Sequence, residues 1–376
     1  MKPLGIYIHI PFCEHKCIYC DFYSVITKSG IEQYIHSIKK EINYHASLHA
    51  GQFIGQTIYF GGGTPSLMTA DYINSIIQYL QNHFVFDKNV EVTLETNPGT
   101  VTDDKLKEFR QAGINRLSIG IQSFDESDLK FLTRIHDKKA AIKTVENAFD
   151  CGFDNINVDL IFNLPGQTEE KWRKNLETAI TLPIKHISAY SLILERGTIL
   201  NKMVLDGKVK ISDADFDAEL YELTIDLLTK YSFAQYEVSN FAQQGYECRH
   251  NNIYWRYKDY LGFGTSSHSF INKKRWWNYS ALNLYSKAIE QNGNAVCGSE
   301  AITGEKMFEE YIMLALRSSG IDKEEFISFF GNEIYKKTEM KLKQFESAGY
   351  LYIDPQIVKL TSKGYPVCDE IVEQLI

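Results

Sequence analysis

The chain has 376 residues, 44% hydrophobic and 23% charged; the length predicts two domains, or one barrel-sized domain with a small companion, and the composition excludes disorder and fibrous repeats. Forty Lys/Arg against forty-eight Asp/Glu leave a net charge of -8 and a pI near 5.7, so the overall field repels nucleic acid and anionic membrane. No stretch is apolar enough to span a bilayer and no leader pattern precedes the first strand-like segment, which reads as a cytoplasmic protein without a stable membrane anchor.

Taken in chain order, short apolar segments alternate with stretches of helical period. The strand candidates are 4–10, 57–60, 90–95, 116–120, 155–161 and 186–192, with 234–238 as a weaker seventh. The helix candidates between them are 32–48, 70–82, 102–112, 139–151, 168–182 and 213–231. Gly113 and Gly152 follow two of these helices directly, where a helix-ending glycine is expected. The alternation predicts an α/β fold with a parallel sheet, a partial (β/α)6 barrel over residues 1–240 that gathers ligands at its strand C-termini. A doubly wound open sheet would give the same pattern.

From 241 to 303 the chain turns aromatic and polar, as in His250-Asn251-Asn252-Ile253-Tyr254-Trp255, and reads as an aromatic elaboration or linker. Residues 304–376 return to helices (306–318, 322–330, 334–348), then a hairpin over 350–360 and a last helix, the order of a small winged-helix-like domain. Its basic and acidic residues nearly balance, so protein packing is expected of it rather than DNA binding. The 13% aromatic content suits flat apolar ligands, and equally suits a Tyr- and Phe-rich core.

The strongest chemical signal is the loop Cys13-Glu14-His15-Lys16-Cys17-Ile18-Tyr19-Cys20, directly after the first strand. Three thiolates on one tight loop can hold three irons of a [4Fe-4S] cluster and leave the fourth open. A zinc site completed by His15 or His9 is the alternative, although structural zinc sites want four protein ligands in two halves and no second half is visible. The glycine run Gly61-Gly62-Gly63-Thr64-Pro65 follows the apolar segment 57–60 and offers a turn whose backbone a ligand can approach.

The spacing C-x3-C-x2-C after a first barrel strand resembles the radical S-adenosylmethionine (SAM) superfamily. Together with Tyr7-Ile8-His9-Ile10-Pro11-Phe12-Cys13 and the glycine run, it resembles the oxygen-independent coproporphyrinogen III oxidase group, which includes haem chaperones of the HemW type. The resemblance implies that Cys13, Cys17 and Cys20 hold the cluster and that SAM chelates its open iron. An electron from a low-potential donor would then release methionine and a 5'-deoxyadenosyl radical. It also implies SAM-contacting positions at Tyr7, Tyr19, Gly62, Gly63, Thr64, Glu95, Gln122, Arg134 and Asp159.

Three departures from the oxidase pattern bear on function. The oxidase carries a further cysteine two residues after the third, where this chain has Phe22. The segment that precedes the oxidase's first strand has no counterpart, the strand here being expected from residue 4. The stretch His250 to Trp255 matches His-Asn-x-x-Tyr-Trp, a HemW signature. His250 is the haem-ligand candidate, with His268 weaker and Cys248 a conceivable thiolate. The resemblance therefore implies a protein that carries haem to acceptor haemoproteins, with oxidative decarboxylation of a porphyrinogen as the alternative. Radical modification of RNA is disfavoured by the acidic balance and the lack of a basic module.

Overall fold

The computed structural model describes residues 1–27 and 29–376. Six strands follow one another in the chain: β1 (Lys2–Ile10), β2 (Phe53–Gly62), β3 (Val85–Thr96), β4 (Arg116–Gln122), β5 (Ile156–Phe162) and β6 (His186–Ser191). They pair in parallel, and in the same order in space as in sequence. A doubly wound sheet reverses strand order at a switch point and this sheet has none among those six strands, so the structure takes the partial-barrel form.

The strands are not the continuous apolar runs usual in parallel sheets; they alternate. Ile6, Ile8, Ile58, Phe60, Leu94, Leu117, Ile119, Val158, Leu160 and Ile187 are all fully buried on the face covered by helices. The opposite face carries Thr57, Tyr59, Glu95, Arg116, Asn157 and Asp159, so the lumen is polar. A period of two in a parallel strand thus marks an inner face kept for a ligand.

The crossover helices start where the sequence provides caps. Thr69, Thr102, Asp137, Thr168 and Asp213 each accept a hydrogen bond from an amide of the first turn, worth about 1 kcal/mol apiece. Gly113 and Gly152 follow helix ends with φ of 101° and 92°, as their placement predicts. No helix among the described residues is long and apolar enough to cross a membrane.

Both edges of the six-stranded run are extended. The weak seventh strand becomes a hairpin, β7 (Ala234–Glu237) and β8 (Asn240–Ala242), with β8 antiparallel to β6. On the other edge, β9 (Tyr260–Phe263) lies parallel to β1, followed outward by β10 (His268–Ile271), β11 (Lys274–Asn278) and β12 (Val296–Ala301). The aromatic stretch from 241 to 303, without a long apolar period, therefore supplies four short strands to the main sheet. Their inward residues, Leu261, Phe263, Ile271 and Trp276, join the main core.

Residues beyond 304 have a second core, built on the helix Gly304–Leu316 and a three-stranded sheet of β13 (Ile321–Asp322), β14 (Leu351–Ile353) and β15 (Ile357–Leu360). The helices Lys323–Phe330 and Asn332–Ser347 lie between β13 and β14 in the chain, giving the winged-helix-like order.

Glu41 ties the first crossover helix, Ile31–His49, to the β9–β11 edge. It is fully buried and accepts hydrogen bonds from the Gly264 amide (2.8 Å), Asn278 Nδ2 (2.5 Å) and the Tyr285 hydroxyl (2.7 Å). Burial, only partly opposed by these bonds, pushes its carboxyl up from 4.5 to about 7. With the folded value above the unfolded one, stability is fully present below 4.5 and is lost as pH rises through about 7, by about 3 kcal/mol in all. A Glu41→Gln variant no longer titrates, so its Tm relative to wild type is expected to climb between about pH 5 and about pH 8. A difference that does not change with pH would refute this assignment.

Candidate functional site

At the C-terminal ends of β1 to β6 the lumen opens into a cavity of about 400 Å³. The cysteine loop forms one wall, with Cys13, Cys17, Cys20 and Tyr19 all on the lining. The loop is held by the glycine run through backbone bonds that continue the β1–β2 pairing: the Gly63 amide donates to Ile10 O (2.7 Å) and the Thr64 amide to Phe12 O (2.8 Å). Thr64 Oγ1 lies 3.4 Å from Cys13 Sγ. Gly62 adopts φ of 115°, and a Cβ there would meet the His9 ring at 2.6 Å.

Arg134 crosses from the segment after β4 to the cysteine loop. Its guanidinium donates to Gly120 O (2.6 Å) and Asn97 Oδ1 (2.7 Å), and Nη1 lies 3.5 Å from Cys17 Sγ. Asn97 Nδ2 donates in turn to Thr64 Oγ1 (3.0 Å), so one amide joins the guanidinium to the glycine turn. Gly120 makes room for this: a Cβ there would sit 2.9 Å from Gln122 Nε2 and 3.0 Å from Asn97 Oδ1.

On the lumen floor, Glu95 accepts from the Tyr59 hydroxyl (2.9 Å) and the Gly62 amide (3.1 Å). Burial, and then the charge of Asp159, push the Glu95 carboxyl up to about 7. Asp159, itself raised by burial, accepts from Asn157 Nδ2 (2.7 Å) and Ser118 Oγ (3.3 Å). Arg116 is 2% exposed on the same lining, and its Nε has no hydrogen-bond partner among the described residues.

Eleven of the sequence-predicted positions thus border one cavity: the three cysteines, Tyr19, Gly62, Gly63, Thr64, Glu95, Gln122, Arg134 and Asp159. Tyr7 stands behind it, its hydroxyl 3.1 Å from His9 Nδ1 and its ring stacked on Tyr59. His250 is also off the lining. It is 1% exposed at the start of the helix Arg249–Trp255, with Nδ1 2.7 Å from Thr57 Oγ1 and Nε2 2.8 Å from the Tyr254 hydroxyl. Burial pushes the imidazole down to about 3, and the neutral ring stacks on Tyr59 at 5.0 Å. So placed, His250 supports the tyrosine that positions Glu95 and has neither nitrogen free for a haem iron. His268, on β10, and Cys248, the cap of that helix, are also off the lining.

Among the described residues, no group of three or more His, Cys, Asp or Glu side chains stands already arranged around a metal ion. His9 has both nitrogens engaged, by Tyr7 and by Tyr23 O (3.0 Å). The three cysteines border one cavity, as ligands to separate irons would. Burial raises the Cys13 thiol and pushes Cys20 up to about 11, so holding either as a thiolate takes a bound metal cation.

A model of the Radical SAM superfamily matches residues 7–179 and one of the HemN C-terminal domain matches residues 302–367. A Bacillus subtilis protein named heme chaperone HemW is 32% identical over 368 residues, covering 97% of each chain. One of that name from Lactococcus lactis is 33% identical over 377 residues, 100% of this chain and 98% of that one. The chain is a HemN-like radical SAM protein of the HemW type. A solved structure of coproporphyrinogen III oxidase (HemN) from Escherichia coli matches with a TM-score of 0.84 at 23% identity, over 100% of this chain and 90% of that chain, and shows the shared fold. For a HemW-type protein the radical SAM family implies a [4Fe-4S] cluster and SAM.

Sequence reading missed Asn97, Arg116, Gly120, Ser118 and Asn157, which no motif marks. Their signal was the alternation itself: Arg116-Leu117-Ser118-Ile119-Gly120 places three non-apolar residues on one face of a strand whose other face is buried.

Proposed function

We propose that this protein binds haem and delivers it to acceptor haemoproteins, using a [4Fe-4S] cluster held by Cys13, Cys17 and Cys20 together with SAM. When bound, cluster and SAM supply one-electron cleavage of a sulfonium, driven by a low-potential donor. The chain's own groups suit SAM by charge. Arg134 is the cation for its carboxylate, and Glu95 and Asp159 are the anions for its amino group, sulfonium and hydroxyls. Gly62, Gly63 and Thr64 let the backbone come close, Gln122 and Tyr19 border the same space, and Tyr7 with Tyr59 backs Glu95.

The observation that carries the chaperone reading over the oxidase reading is Phe22. Where the oxidase has a further cysteine, this chain places a phenylalanine on the cavity lining, 61% exposed. The full-length likeness to proteins named heme chaperone HemW supports the same choice.

The test is anaerobic: reconstituted protein with SAM and reductant is given either haem and an apo-haemoprotein, or coproporphyrinogen III. Spectral appearance of the loaded acceptor, with no vinyl porphyrinogen product, is expected. Vinyl product that disappears in a Cys17→Ser variant would overturn the chaperone reading and leave the oxidase.

A further inference from the structure

With haem taken as the cargo proposed above, its seat is not found at His250, whose ring nitrogens are both engaged inside the protein. The mouth of the cofactor cavity offers a better surface. Inward, the lining is polar, with Glu95, Arg116, Ser118, Asn157 and Asp159. Outward, it ends on Phe22, Tyr190 and Ile193, which are 61%, 40% and 68% exposed. Phe22 lies on the loop after β1 and Ile193 just beyond β6, so the first and last strands of the barrel run each bring a large apolar side chain to one opening.

Apolar side chains left in water at the rim of a ligand cavity mark a surface that a ligand covers. The occupant is constrained by size and charge. A cavity of about 400 Å³ suits one molecule of the size of SAM, and a tetrapyrrole, flat and larger, would have to lie across the opening rather than beside SAM. Lys16, exposed on the lining, supplies a cation for a propionate. His15, also exposed there, is the imidazole among the lining residues, and its Nε2 contact to Thr133 Oγ1 (3.1 Å) is one that water can replace.

We propose that a metal tetrapyrrole binds across the cavity mouth, its apolar face on Phe22 and Ile193, a propionate on Lys16 and its iron on His15. Cargo and SAM then share one opening, with the tetrapyrrole as its cover.

The test is a haem titration of the cluster-reconstituted protein in the presence of SAM, followed by absorbance. A Phe22→Ser/Ile193→Ser variant is expected to bind haem at least tenfold more weakly per reconstituted cluster, since it loses two apolar contacts, with iron content and SAM affinity measured alongside. Ile193→Ser alone, off the cysteine loop, should weaken haem severalfold even if the double variant holds its cluster poorly. His15→Ala should shift the Soret band. Haem dimethyl ester should bind wild type more weakly than haem does, and the gap should close in Lys16→Ala. Wild-type haem affinity in both serine variants would overturn the mouth site while leaving haem as cargo. A wild-type protein that binds no haem would instead overturn the proposed function.

Discussion

Replacing Cys17 by serine is expected to reduce bound iron and acid-labile sulfide after anaerobic reconstitution to near background, and to abolish SAM cleavage with it. A serine hydroxyl is a poor replacement for a thiolate toward iron, and the loop offers no spare sulfur: Cys248 and Cys368 are buried elsewhere, and Cys151 and Cys297 are off the cavity lining. The fold should survive, because Cys17 is outside the hydrophobic cores and its neighbour Arg134 keeps Asn97 and Gly120 O as partners. The variant should melt like wild type prepared without iron, whereas reconstituted wild type should melt higher, since whatever binds only the native state stabilises it. Retention of wild-type iron and sulfide by Cys17→Ser would show that these cysteines are not the cluster ligands.

The second large effect is expected from a single methyl group. In Gly63→Ala the new Cβ would sit 2.8 Å from Phe12 O, 3.0 Å from Ile10 O and 3.0 Å from Cys13 Sγ. Two of those atoms are backbone and already accept the bonds that hold the loop, so neither can move without breaking the Gly63–Ile10 or Thr64–Phe12 hydrogen bond. Overpacking of this kind costs about 1–3 kcal/mol, and a broken buried hydrogen bond adds about 1 kcal/mol. Because Cys13 is one of the three atoms crowded, the loss should not stop at stability. Iron retained per chain should fall as well, measured alongside urea denaturation. A variant with wild-type midpoint and wild-type iron would mean that the glycine turn does not position the cysteine loop.

Both effects arise where two short motifs meet, and each motif was visible in the sequence. The cysteine spacing follows from chemistry alone: three thiols on eight residues have few uses other than metal. The alternation of strands and helices over the first 240 residues was equally readable, because each strand buries one apolar face and the helices after the first begin at a Thr or Asp that caps them. Even the polar lumen was written in the period of two along β3, β4 and β5. A single sequence does not carry the neighbours of a residue, however, and the site depends on them. Asn97 matters because β3 brings it between Thr64 from the β2 turn and Arg134 from beyond β4, three segments far apart in the chain.

The same limit explains His250 and the aromatic stretch around it. In sequence, a histidine among Asn, Tyr and Trp fits a haem ligand. In the folded chain, Thr57 from β2 and Tyr254 from the next helical turn take both nitrogens, and the ring becomes a neutral support for Tyr59. The strands β9 to β12 lack a long apolar run, and they become strands because β1 offers an unpaired edge for β9 to join. Local pattern and residue chemistry determined the barrel units and the cysteine loop. Tertiary structure alone decided which polar groups share the lumen, that both ring nitrogens of His250 are engaged inside the protein and which apolar side chains remain uncovered at the mouth, because those properties belong to pairs of residues brought together by the fold.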